Sequence, residues 1–428
     1  MLECCVKMLK KVNLKSDLLK YVVVLMSGTV IAQIIAYSLA PVISRCYTPE
    51  ESAELGLFIR IVSVGAAIAT LRYELALPIP KVDAHSFRLY RIALKSTLII
   101  SALAIVILIV PMSLTLNFNS LMFYVLLPIS IFFIAMNNLG TNWAIRFKLF
   151  HSISYSKITN AIFSGGAKAI LGLMGVGYGG LIIGMTFGIV AANFWFIREF
   201  FRAKKTYGIT SSSPRNYVIA SHFNEFPKIN LPHVMMDLGR DLLIAVLLLE
   251  IFSKEDFGLY DMSYRMLRIP LVMAGAAIGQ VFFQRCAEMI NRKESVVGTI
   301  TKSVGVLTLL SIIPFAVVFF FGEEIFAFVF GENWRGAGTY SEIMAPWFMV
   351  NFISSPISSL PLVLNKQRAF FKLAAFGSVL MILSIVVPSL LFDQSIIVTL
   401  WILSITQAIY LVFVIFKIFD YARKYDVK

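Results

Sequence analysis

Apolar residues run through this chain in long, nearly uninterrupted stretches separated by short polar intervals. That is the pattern of membrane-spanning helices, not the short alternation of half-buried strands or surface helices. A bilayer's hydrocarbon core is ~30 Å thick and takes about 20 helical residues to cross. Measured against that length, the chain predicts spans near 21–44, 54–78, 89–112, 120–144, 153–175 and 178–201. A second set is predicted near 228–250, 256–284, 298–321, 338–362, 369–391 and 395–418. The expected fold class is therefore an all-α integral membrane protein of about twelve transmembrane helices. The first stretch is too long for the apolar core of a signal peptide, and no small-residue cleavage site follows it.

The polar intervals set the orientation. Alternate ones are basic: Lys81, Arg88 and Arg91; Arg146 and Lys148; Arg198, Arg202, Lys204, Lys205 and Arg215. The series continues with Arg285, Arg292 and Lys293, then Lys366, Arg368 and Lys372, and the tail Lys417, Arg423, Lys424 and Lys428. The intervening loops hold Arg45, Lys254 and Arg335 and are mostly acidic, with Glu50, Glu51, Glu54, Glu255, Asp256, Glu323, Glu324 and Glu332. Basic loops stay in the cytoplasm, so both termini are expected there.

The longest polar interval, 203–227, lies almost midway and predicts a cytoplasmic linker between two six-helix lobes, 1–202 and 228–428. A weak internal repeat agrees. Leu55-Gly56-Leu57-Phe58 opens the second span of the first half, and Phe257-Gly258-Leu259-Tyr260 opens the second span of the other. Six spans return the chain to its starting side, so the repeats would be parallel. Gly180, Gly184 and Gly188, like Gly275 and Gly279, recur every fourth residue and permit close helix approach, within a lobe or at an oligomer interface. Pro41, Pro128, Pro270, Pro314, Pro346 and Pro356 fall inside spans, where bends are tolerated.

Composition removes the main alternatives. Only 14% of residues are charged, against about a quarter in soluble proteins, and mean hydropathy is +0.82. The net charge of +14 is concentrated between apolar runs, so it reports topology and not a nucleic-acid partner. Four cysteines and four histidines lie scattered without ligand spacing. Neither a disulfide framework nor a metal site is expected, and no cofactor.

The informative residues are the ionisable ones inside predicted spans: Arg60, Arg72 and Glu74; Lys157 and Lys168; Asp237, Arg240 and Asp241; Arg265 and Arg268. Each cation near the bilayer centre costs ~2.5–3.5 kcal/mol on insertion scales, so most must face water or a partner. Arg72, Glu74 and Lys157 lie close enough to the inner surface to snorkel. Arg240, Asp241, Arg265 and Arg268 lie deeper, and either form an ion-pair network between spans 7 and 8 or line a hydrated site. Seven cations against three anions leave a net of +4, which mutual pairing cannot neutralise. An anionic, phosphate-bearing substrate is the natural complement, because the guanidinium fork grips phosphate with two bonds. Arg60, Arg72, Lys168, Arg240, Arg265 and Arg268 are the candidate substrate-binding residues. Glu74, Asp237 and Asp241 are candidates for coupling to a proton or sodium gradient, although pairing with neighbouring arginines explains them equally well.

Specific stretches carry a family resemblance. They are Phe257-Gly258-Leu259-Tyr260 through Arg268-Ile269-Pro270-Leu271, and Ile278-Gly279-Gln280-Val281-Phe282-Phe283-Gln284. Phe330-Gly331-Glu332-Asn333-Trp334-Arg335, Ala345-Pro346-Trp347 and Ser354-Ser355-Pro356 extend the likeness. In the first half it includes Tyr47-Thr48-Pro49-Glu50 and Ala69-Thr70-Leu71-Arg72-Tyr73-Glu74-Leu75-Ala76. Together they resemble the bacterial polysaccharide-repeat flippases of the O-antigen (Wzx-type) group. That group lies within the superfamily that includes multidrug exporters of the MATE type (the MOP superfamily). The resemblance implies two six-helix lobes around a V-shaped cavity in the bacterial inner membrane. It also implies that an undecaprenyl-diphosphate-linked oligosaccharide moves from the cytoplasmic to the periplasmic leaflet for surface polysaccharide assembly. Membrane lipids, and the polymerase and chain-length proteins of the same pathway, would be the partners. Asp237, Arg240 and Asp241 match no motif of that family.

Two other readings compete. An exporter of drugs or other lipids would use the same fold, but a net-positive cavity disfavours cationic drugs. A membrane enzyme acting on the same lipid carrier would need positioned carboxylates or a metal-holding acidic pair in an ordered loop. The predicted outer loops are too short to supply one, so a transporter and not an enzyme is expected.

Overall fold

The computed structural model describes residues 17–113, 118–206, 216–391 and 395–426. Among the described residues there are twelve helices of 21 to 38 residues. The first six are α1 (Asp17–Cys46), α2 (Pro49–Ala69), α3 (Asp83–Ser113), α4 (Phe118–Arg146), α5 (Phe150–Leu173) and α6 (Tyr178–Thr206). The others are α7 (Leu231–Ile251), α8 (Lys254–Asn291), α9 (Val297–Phe330), α10 (Arg335–Ile357), α11 (Gln367–Leu391) and α12 (Ile396–Asp426). Each corresponds to one predicted span. Nine are long and apolar enough to cross a membrane on composition alone. The remaining three, α5, α7 and α8, are those bearing Lys157 and Lys168, Asp237 to Asp241, and Arg265 with Arg268. Outward-facing apolar side chains such as Leu309, Ile313, Phe320, Phe328 and Leu390 are exposed, as a lipid-facing surface requires.

The helix ends show why the elements start where they do. Thr48 and Glu51 cap α2 reciprocally: the Glu51 amide donates to Thr48 Oγ1 at 3.4 Å and the Thr48 amide to Glu51 Oε2 at 2.9 Å. Pro49 fills the first helical position, where its missing N–H costs nothing. Ser253 and Asp256 cap α8 in the same way. Both helices that carry the repeat noticed in sequence therefore start with a capping box, three residues closer to the repeat in the second half than in the first.

The structure divides into two compact units. One holds the described residues up to Tyr47 and Phe58–Leu238; the other holds Thr48–Leu57 and everything described from Gly239 onward. Helix α2 thus begins in the second unit and ends in the first. The expected interval 203–227 contains residues 207–215, outside the described ones; beyond them, Asn216–His222 is helical and Phe226–Asn230 forms a π-helical turn.

Three helix packings recur in the two units. In the first, α3 lies on α4, and α4 and α5 lie on α6; in the second, α9 lies on α10, and α10 and α11 lie on α12. The glycine ladder of α6 faces α5. A Cβ on Gly184 would lie 2.6 Å from Lys168 Cγ, one on Gly180 would meet the Tyr47 hydroxyl at 2.7 Å, and one on Gly188 would strike Ser164. That face is occupied inside the unit, which decides against its use as an oligomer interface. We predict that Gly184→Leu separates α5 from α6 and costs at least about 2 kcal/mol by overpacking. A fall of several degrees in the melting temperature of detergent-purified protein would show it.

A buried cluster of the first unit lies toward its basic face. Tyr73, Leu77, Leu89, Tyr90, Leu139, Trp143 and Ile219 form it, with Phe87, Phe200, Phe223 and Phe226 packed alongside. Tyr90 stacks on Phe200 with ring centres 4.3 Å apart. In the second unit, Phe282, Cys286, Val296, Ile300, Ile357, Val414 and Ile418 form the corresponding cluster. There Asp426 of α12 caps α9: the Val296 amide donates to its Oδ1 at 3.1 Å, and Ser295 Oγ also bonds it. Asp426→Ala is expected to cost about 1 kcal/mol, read as faster amide exchange in the first turn of α9.

Candidate functional site

Seven of the ten flagged charges fall into three local constellations. The first forms where the sequence reading erred. Arg72 and Glu74 were expected inside span 2, but α2 ends at Ala69 and both sit in the turn before α3. Hydropathy missed this end because Leu71, Tyr73 and Leu77 are apolar for a different reason: Tyr73 and Leu77 belong to the aromatic cluster and Leu71 packs against it. The chain reverses through two consecutive left-handed residues, Leu71 (φ 50°) and Arg72 (φ 59°). Such a conformation costs about 1–2 kcal/mol per non-glycine residue, so the surroundings must hold it.

What holds it is visible. Arg72 Nη1 lies 3.1 Å from Glu74 Oε1, and Arg72 Nε donates to Asn230 Oδ1 at 3.2 Å. The Tyr73 hydroxyl donates to the Ala220 carbonyl at 3.2 Å. Glu74 is 1% exposed. Burial pushes its carboxyl above the usual range, with Thr70 and Arg72 opposing the shift. Beside Asn230, an open cleft of about 260 Å³ is lined by Glu225, Phe226, Ile229, Asn230 and His233.

The second constellation lies on α7. Arg240 Nε and Nη2 grip Asp241 Oδ1 at 3.2 and 3.0 Å, and Nη1 donates to Ser378 Oγ on α11 at 3.1 Å. Asp237, one turn earlier, is exposed.

The third lies on α8. Arg265 Nε pairs with Asp261 Oδ2 at 3.0 Å, one turn earlier on the same helix, and Nη2 donates to Ser52 Oγ at 3.1 Å. Asp261 is 2% exposed. Arg268, three residues on, is exposed and places its guanidinium carbon 5.4 Å from the centre of the Tyr264 ring. It makes no ion pair among the described residues. Arg240 with Asp241, and Arg265 with Asp261, are each paired within a single helix.

Arg60 is half-buried on α2, and on α5 the Lys168 carbonyl accepts from the Tyr47 hydroxyl at 2.9 Å. Lys157 donates to Thr29 Oγ1 on α1 at 2.8 Å. Sequence reasoning missed Asp261, whose i,i+4 spacing from Arg265 was the available signal. It also missed Asn230 and Ser378, whose partners lie too far along the chain for any local pattern to reveal. Among the described residues no cluster of metal-ligating side chains forms.

The chain matches the family described as "Polysaccharide biosynthesis protein" over residues 80–338. No curated protein matches it in sequence. Solved structures share its fold. An inward-facing multidrug resistance MATE family transporter of the MOP superfamily aligns at TM-score 0.71 and 14% identity, covering 92% of this chain and 99% of the other. The lipid II flippase MurJ, in an inward closed conformation, aligns at 0.69 and 13% identity, covering 93% and 89%. A MOP superfamily transporter from Pyrococcus furiosus, described as having a binding pocket of reverse polarity, aligns at 0.61 and 14% identity, covering 95% and 96%. The fold is therefore the one these solved structures share.

Proposed function

Since the chain belongs to the polysaccharide biosynthesis protein family, we propose that it is a flippase for an undecaprenyl-diphosphate-linked oligosaccharide repeat unit. The cargo passes from the cytoplasmic to the periplasmic leaflet of a bacterial inner membrane, where polymerase and chain-length proteins use it. The observation that carries this reading is Arg268: a guanidinium on a long helix, backed by the Tyr264 ring and without a carboxylate partner among the described residues. An unneutralised arginine in a spanning helix is costly unless it serves an anion, and its fork suits a diphosphate.

Arg265 differs in having Asp261 already in place. Phosphate binding there exchanges one anion for another, which limits the net gain and favours release. Arg60, Arg72, Lys168 and Arg240 complete the proposed cation set, and Glu74, Asp237 and Asp241 are the carboxylates through which a proton or sodium gradient would act. The lipid II flippase MurJ, on the same fold, is a precedent by name for a lipid-linked cargo.

The test is genetic and chemical together. Deletion is expected to remove surface polysaccharide while lipid-linked repeat units accumulate in the inner leaflet. Normal polymer without accumulation would refute the proposal. The likeness to a multidrug MATE transporter supports a second reading, export of a drug or another lipid. Drug resistance that survives neutralising both Arg240 and Arg268 would favour it.

A further inference from the structure

The turn between α2 and α3 does something that substrate binding does not account for. Two adjacent side chains reach from it to one remote segment: Arg72 to Asn230 at 3.2 Å and Tyr73 to the Ala220 carbonyl at 3.2 Å. Residues 216–230 lead directly into α7, so this segment is the last part of the connection between the halves of the chain. Its final turn, Phe226–Asn230, is π-helical, a form that marks helices under local distortion. The turn holding it is itself strained, with Leu71 and Arg72 both left-handed. A strained, over-determined conformation meeting a second irregular one is the arrangement expected of a switchable contact.

Glu74 explains how the contact is aimed. It is buried, and neither carboxylate oxygen meets hydrogen-bond geometry with any described residue. Among the described residues, the cation paired with it is Arg72, whose Nη1 lies 3.1 Å from Oε1. The ion pair fixes one edge of the guanidinium, and the Nε edge is thereby presented to Asn230. Tyr73 and Leu77, on either side of Glu74, are locked in the aromatic cluster, so the carboxylate has little freedom to follow Arg72 elsewhere.

We propose that Glu74, Arg72 and Asn230 form a latch on the connection between the halves, with Glu74 as the positioning residue, and that the latch must open during each transport cycle. This rests on the transport reading above, so the experiment has one arm that needs no cargo. In that arm, amide hydrogen exchange is followed over residues 218–230 of the purified protein. Glu74→Ala and Asn230→Ala are each expected to speed exchange there by about ten-fold, as loss of one charge-assisted bond implies. Exchange in α10 should stay unchanged. Asn230→Asp replaces the neutral acceptor with a carboxylate and is expected to slow exchange instead. Unaltered exchange in all three variants would overturn the latch.

The second arm places cysteines at positions 73 and 220, neither of them in the proposed binding set, in a chain whose four native cysteines are serines. A short reducible thiol cross-link is expected to form between them and to stop transport of a lipid-linked oligosaccharide, which reductant then restores. Failure to cross-link, or transport at an undiminished rate when linked, would contradict the proposal. If the unlinked chain and the parent both fail to transport while the exchange results hold, the substrate assignment is wrong and the latch stands.

Discussion

Arg268→Glu is expected to abolish surface polysaccharide production, whereas Arg268→Lys should retain part of it. The guanidinium is exposed, rests on Tyr264, and has no ion-pair partner among the described residues. It is therefore the flagged cation whose charge is least committed to the protein itself. A hydrogen bond to a charged group is worth about 1.5–3 kcal/mol, a roughly ten- to hundred-fold change in affinity. Reversal of charge adds repulsion against any phosphate. Lysine keeps the charge but loses the planar fork and much of the stacking on the ring. Arg335→Gln is the control: its partner Glu332 is exposed on the acidic face, and the pair is expected to contribute little. Polysaccharide at the cell surface, normalised to the amount of each variant in the membrane, is the readout.

Gly258→Ala is expected to cause the largest loss of folded protein of any single substitution considered. A Cβ at this position would fall on the Pro49 carbonyl, backbone against backbone, with no flexible side chain to yield. The contact joins the first residue of α2 to the second turn of α8, the two helices that begin with matching capping boxes. Relief would require the whole start of α2 to move, carrying with it the Glu54–Lys254 pair and the Ser52–Arg265 bond. Gly305→Ala provides the contrast. Nothing lies within 4 Å of a Cβ there, so the substitution should be neutral or stabilise α9 by about 0.5–1 kcal/mol. Size-exclusion profiles of the two variants in detergent separate these outcomes.

The helix count was legible because it depends on one strong quantity, the length of apolar stretches against bilayer thickness. The three helices outside the set that passes on length and composition, α5, α7 and α8, were found as well, because long apolar stretches mark them too. The alternating basic loops and the repeat at Gly56 and Gly258 were legible for a similar reason: both are local in sequence. The end of α2 was not. Thr70 to Leu77 reads as a continuation of the span, yet two left-handed residues reverse the chain and the aromatic cluster captures its apolar side chains. Nothing in composition distinguishes a side chain buried in lipid from one buried among aromatic rings.

The site was legible as a set of residue types and not as a geometry. Arg72 with Glu74 and Arg240 with Asp241 are near neighbours in the chain, and each pair is joined in the structure. Asp261, which governs Arg265, could have been found from helical spacing. Asn230 and Ser378 could not, because their contacts with Arg72 and Arg240 exist only once the chain is folded. The misplaced cations and the missed partners have one cause: charge at membrane depth is visible in sequence, and what compensates it is not.

The central claim is that this protein moves an anionic lipid-linked oligosaccharide. Reconstitution in proteoliposomes with a defined undecaprenyl-diphosphate-linked oligosaccharide, with and without an imposed proton or sodium gradient, tests it most directly. The account predicts movement of the labelled lipid between leaflets that Arg268→Glu eliminates. Equal rates in empty liposomes, in the parent protein and in Arg268→Glu would contradict it.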